Sequence, residues 1–77
     1  MDNSKLIKII ADNIRFERFR NNYTQEYLAE KAGITQKYLS LIESAKVNPS
    51  VGIVFNIGKA LDMDMNSICK DNNLNLK

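Results

Sequence analysis

The sequence predicts an all-α fold, a single compact domain of five short helices. Three observations carry that expectation. Apolar residues recur at spacings of three and four, and no stretch alternates apolar and polar residues for long enough to make a strand. Helix start and stop residues recur along the chain, at Thr24, Gly33, Thr35, Asn48–Pro49, Ser50 and Asp64. A length of 77 residues supports only one small hydrophobic core.

The first helix is expected over about Lys5 to Asn21. Leu6, Ile7, Ile10 and Ile14 form its apolar stripe, whose far end runs into Glu17 and Arg18. Ile9, Phe16 and Phe19 make a second patch, which fits packing against another helix of the domain or a contact with another subunit. Asn21–Asn22 ends the helix, because Asn tolerates the left-handed conformation of a helix terminus. The second helix is expected over Gln25 to Ala32, with Thr24 as its cap and Gly33 as its stop. The third runs from Gln36 to Glu43 behind Thr35, and "SAKVNPS" is a loop in which Asn48 is kept out of helical geometry by Pro49. Ser50 caps the fourth, Val51 to Leu61, with Val51, Val54, Phe55, Gly58 and Leu61 inward and Gly52 weakening the first turn. Asp64 caps a short fifth helix, Met65 to Lys70. The domain is expected over 1–70, and the final "DNNLNLK", 71–77, reads as a tail with room for a contact by Leu74 and Leu76.

Composition excludes several function classes. Hydrophobic residues at 44% and charged residues at 26% are ordinary for a folded domain. The single cysteine, Cys69, forms no intrachain disulfide, which fits a reducing compartment, and beside Ile68 it reads as a small buried side chain. "MDNSKLIKIIADNIRF" is interrupted by Lys8, Asp12, Asn13 and Arg15, unlike a secretory signal, and no run approaches the roughly 20 apolar residues of a membrane span. A cytoplasmic protein without membrane contact is expected. With no histidine, Cys69 lacking a nearby base and no glycine-rich phosphate loop, neither an enzyme nor a metal or cofactor site is expected. The formal charge is only +2, although residues 1–22 carry five cations (Lys5, Lys8, Arg15, Arg18, Arg20) against three anions (Asp2, Asp12, Glu17). Binding to DNA would therefore rest on placed donors rather than on a strong general field.

The stretch "TQEYLAEKAGITQKYLSLIES", Thr24 to Ser44, holds the functional signal. Leu28, Ala32, Ile34, Leu39 and Ile42 are spaced to meet between two helices crossing steeply. Ala29 is small where the second helix passes close, Gly33 turns the chain and Ile34 plugs the corner. That is the physical recipe for a helix-turn-helix. The plain alternative is an αα-hairpin in any small helical bundle.

"NIRFERFRNNYTQEYLAEKAGITQKYLSLIESAKVNPS" resembles the Cro and phage-repressor type of helix-turn-helix domain, the XRE family, over about Ile10 to Ile68. The resemblance implies a lambda-repressor-like domain in which helices 2 and 3 form the motif and helix 3 enters the major groove of double-stranded DNA. On that basis Gln36, Lys37, Ser40 and Leu41 are the candidate base contacts. A Gln amide pairs with adenine N6 and N7, and Lys37 suits guanine or a phosphate. Leu41 stands where the family often has a polar residue; it suits a thymine methyl or packing. Candidate phosphate contacts are Thr24, Gln25, Thr35, Tyr38, Ser44, Lys46 and Asn48. For Tyr38 the alternative is a ring covering the core. The resemblance also pairs Arg18 with Glu43 as a partly buried structural ion pair. Glu17 departs from the family, where an aliphatic is usual, and is expected at the core margin near Arg15, Arg18 or Arg20.

A helix this short reads few base pairs, so a homodimer on a pseudo-palindromic operator is expected. Its surface is expected on Met63, Met65, Ile68 and Leu74, with Leu76, Ile53 and Phe55 as additions, unless these residues close the monomer's own core. Nothing implies a small-molecule effector. The rival function is a helical protein-interaction module or an antitoxin-like partner-binding protein.

Overall fold

The computed structural model describes residues 3–72. They form α1 (Ser4–Arg20), α2 (Gln25–Ala32), α3 (Gln36–Glu43), α4 (Val51–Ala60) and α5 (Met65–Ile68), with no strand among the described residues. The all-α expectation is borne out, and α2 and α3 take the bounds read from the sequence. Thr24, Thr35, Ser50 and Asp64 each accept the N–H of the third residue on, from Tyr27 at 3.0 Å, Tyr38 at 3.1 Å, Ile53 at 3.2 Å and Ser67 at 2.8 Å. Each such cap satisfies an amide that the helix itself leaves without a partner, a contribution of about 1 kcal/mol.

Helices α1 to α4 all close in the same way. Asn22, Gly33, Ala45 and Asp62 adopt left-handed φ values of 59°, 75°, 61° and 59°. The following N–H then reaches back to close the turn: Tyr23 to the Arg18 carbonyl, Ile34 to Ala29, Lys46 to Leu41 and Met63 to Gly58, at 2.7–3.0 Å. Only Gly33 among the four is conformationally free of strain at that φ.

The core lies where α2 packs on α3 and α4, while α1 covers α3 and α5. Ile10, Ile14, Leu28, Leu39, Ile42, Ile57 and Ile68 form its centre, with Ala29 and Ala32 at the close approach of α2 and Ile34 packed beside them. Gly58 has a steric role: a Cβ there would sit 2.9 Å from the Met63 carbonyl oxygen, so the α4–α5 turn packs onto bare backbone.

Several expectations are corrected. The inner face of α4 is Val54, Ile57, Gly58 and Leu61, whereas Val51 and Phe55 point into solvent. In a helix as apolar as "VGIVFNIGKA" two adjacent stripes both satisfy the three-four spacing. On α1, Leu6 is exposed, and among the described residues Phe16 and Phe19 stand mostly in solvent, at 69% and 58% exposed. Helix α5 stops at Ile68, two residues early. The Asn13 side-chain amide donates to the carbonyls of Ile68 and Lys70, both at 2.8 Å, and holds them off the path of a continuing helix. Asn13 also accepts from Asn72 at 3.2 Å, and Lys5 lies 3.9 Å from Asp71, so the expected tail is fastened to α1 over its first two residues. Leu74 and Leu76 lie outside the described residues. Ile68 is fully buried in the monomer, so it has no surface to offer a second copy; Met63, Met65 and Ile53 are half-buried against the same core, and Cys69 is half-buried too. None of the described helices is long and apolar enough to cross a membrane.

Candidate nucleic-acid interface

Helix α3 is short and two-faced. Leu39, Ile42 and Glu43 are buried, while Gln36, Lys37 and Ser40 are exposed and Leu41 is half-exposed at their edge. These four and Gln25 line one shallow hollow, so the start of α2 and the outer face of α3 form a continuous surface. Eight residues of helix span about 12 Å, which matches the roughly 12 Å width of the B-DNA major groove.

The candidate phosphate contacts lie at the starts of α2 and α3, at the end of α3 and in the loop after it. Thr24 and Thr35 are exposed, and each cap bond uses only a lone pair of the hydroxyl oxygen, leaving the O–H proton to donate outward. Lys46 and Asn48 are exposed in the loop after α3, and Tyr38 is half-buried with its ring on the core cluster. Ser44 differs from the rest. Its hydroxyl donates to the Ser40 carbonyl at 2.9 Å and the Leu41 carbonyl at 3.2 Å, so its proton is taken inside the helix end.

Glu43, the one acidic residue of α3, is turned inward. Arg18 grips it with a two-pronged bond, Nε to Oε2 at 2.8 Å and Nη2 to Oε1 at 2.9 Å, with both side chains buried. Gln25 donates to Oε1 at 3.1 Å, and Arg18 Nη1 donates to the Tyr23 carbonyl at 2.9 Å. The network therefore joins α1, α2 and α3 and leaves no carboxylate of α3 facing outward. Its charges are paired and hydrogen-bonded, the condition under which burial of ions is tolerated. Phe19 lies against the guanidinium of Arg18, 4.7 Å from ring centre to carbon. Glu17 sits at the margin of this region and bonds Arg20 at 3.2 Å.

Three contributions were not read from the sequence. Gln25, taken only as a phosphate ligand, is also a strut to Glu43. Arg15 donates to the Glu43 backbone carbonyl at 2.8 Å and bonds Asp12 at 2.8 Å, placing a cation at the negative end of α3. Its position three residues before Arg18 was the available signal. Asn13, which fastens the end of the chain, carried none.

Comparison with known proteins identifies the motif that carries this face. A family model described as helix-turn-helix matches residues 14–68. The chain is 34% identical over 55 residues to control protein C.SmaI of Serratia marcescens, covering 71% of this chain and 66% of that protein. It is 32% identical over 59 residues to the uncharacterized HTH-type transcriptional regulator MJ0272 of Methanocaldococcus jannaschii, covering 77% of this chain and 89% of that one. The crystal structure of the hypothetical transcription factor NHTF from Neisseria superposes with a TM-score of 0.87 at 24% identity, over 99% of this chain and 87% of that chain, which shows the shared fold. With the matched segment running from the middle of α1 through α5, the chain belongs to the XRE-type helix-turn-helix family of DNA-binding transcriptional regulators.

Proposed function

We propose that this chain regulates transcription by binding a pseudo-palindromic DNA operator as a homodimer, in the cytoplasm, without a cofactor or effector. The observation that carries the reading is the single outward face shared by Gln36, Lys37, Ser40, Leu41 and Gln25, with the only acid of α3 buried behind it. Gln36 and Lys37, at the start of α3, read base edges; Ser40 and Leu41 follow one turn later. Thr24, the α2 amides beside Gln25, Thr35, Tyr38, Lys46 and Asn48 hold the phosphates and so set the register. One α3 covers too few base pairs for useful discrimination, and two related by a two-fold axis read two half-sites about 34 Å apart. Occupancy of the operator then blocks or recruits polymerase. The likeness to a control protein and to an HTH-type transcriptional regulator supports a regulatory role.

The test is selection of bound duplexes from a random library, followed by titration of the selected site. The selected sites should be two-fold symmetric, and affinity should fall steeply between about 50 and 200 mM salt as counterions are released. Gln36→Ala should relax the consensus at one position per half-site, a loss of about 1–3 kcal/mol there. Binding that is absent or insensitive to salt would instead favour the protein-interaction or antitoxin-like reading, and an unchanged consensus in Gln36→Ala would remove Gln36 from the reading face.

A further inference from the structure

We propose that the side of α1 carrying Phe16 and Phe19, together with Met63, is where two copies of this chain meet. This rests on the homodimer reading above and replaces the α5-centred surface that the sequence pointed to. Phe16, Phe19 and Met63 line one shallow groove with Glu17 and Arg20 on its rim, and Met63 continues into a second groove beside Phe55. Phe16 is the most exposed aromatic ring among the described residues, with Phe19 and Phe55 next. At roughly 200 Å² per ring, the three leave about 350 Å² of aromatic surface in water. That area is in the range of the largest apolar patch on a typical monomer, which is often functional, and it is close to half of the roughly 800 Å² that each partner commonly contributes to a stable interface. The rings would form the dry centre and the polar rim would supply the remainder.

The rim argues for a second copy as the occupant. A two-fold contact brings a patch against itself, so its charges must complement themselves. Glu17 and Arg20 stand side by side on α1, 3.2 Å apart, with opposite signs. Antiparallel apposition of two α1 helices sets each Arg20 against the Glu17 across the axis, whereas a rim of one sign would repel its own copy. The groove shares no residue with the hollow formed by Gln25 and the outer face of α3, so self-contact there does not cover that hollow's own lining.

Sedimentation equilibrium on the full chain tests this, with circular dichroism reporting helix content. Wild type should be dimeric. Phe16→Glu and Phe16→Ser should be monomeric with unchanged helicity, since the ring they replace is mostly in solvent. Val51→Glu, equally exposed but at the far end of α4 from Gly58 and Met63, should remain dimeric. Glu17→Arg and Arg20→Glu should each weaken self-association at least tenfold, and mixing the two should restore it. Dimers of unchanged strength in both Phe16 variants would overturn this surface while leaving the homodimer intact. A wild type that stays monomeric, with and without duplex DNA, would overturn the homodimer and this surface together.

Discussion

Glu43 receives side-chain bonds from Arg18 and Gln25, and its own carbonyl takes one from Arg15, so one residue ties the end of α3 to both preceding helices. Removing its carboxylate leaves the buried Arg18 guanidinium without a counter-charge. Glu43→Ala should therefore cost about 3–5 kcal/mol in urea unfolding, whereas replacing Arg18 and Glu43 together by Met and Leu should cost far less. The pairing of Arg18 with Glu43 was legible through family resemblance, because both positions are marked by motifs nearby. The bond from Gln25 was not. It depends on how α2 is rotated against α3, and no local pattern encodes that angle. Asn13 was illegible for a different reason: its partners are the backbone carbonyls of Ile68 and Lys70, which look alike at every residue.

At the scale of single elements, the chain uses one device four times, and three of those left-handed positions are not glycine. A non-glycine residue there costs about 1–2 kcal/mol relative to its right-handed form. Ala45→Gly, at φ 61° and without an Asn or Asp side chain to compensate, should raise stability by about 1 kcal/mol. Gly52→Ala should stabilise by a similar amount, because the new methyl meets nothing closer than 4.0 Å. Gly58→Ala should destabilise by about 1–3 kcal/mol despite its better helix propensity, since its methyl meets the Met63 carbonyl. Three thermal melts separate these cases, and matching gains at Gly52 and Gly58 would contradict the packing described for the α4–α5 turn. The starts of α2 to α5 were legible here because caps act within four residues, whereas the end of α5 was not, because Asn13 of α1 sets it from a distance. The inner face of α4 was legible at Val54, Gly58 and Leu61 but not at Ile57, because Val51 and Phe55 satisfy the same three-four spacing.

For the molecule as a whole, the first and last helices are joined chiefly through Asn13, Ile68 and the carbonyls that follow. Asn13→Ala leaves those carbonyls with fewer partners and should cost about 1–3 kcal/mol. Hydrogen exchange should then report early opening of residues 65–72 while α2 and α3 stay protected; uniform loss of protection would mean that the end of the chain is not a separable unit. The class of fold and the helix-turn-helix itself were both legible at this scale, since that motif is contiguous in sequence. The aromatic side of α1 was legible as a patch, but its exposure among the described residues was known only once all five helices were in place. That α1 is one uninterrupted rod of 17 residues has a consequence for operators. Its inner side clamps the end of α3 and its outer side carries the surface proposed for self-contact, so in the proposed dimer no joint would intervene between the two copies of α3. The assembly would then behave as a gauge of fixed width: half-sites at the matching interval are accepted, and each base pair of error must be met by twisting the DNA.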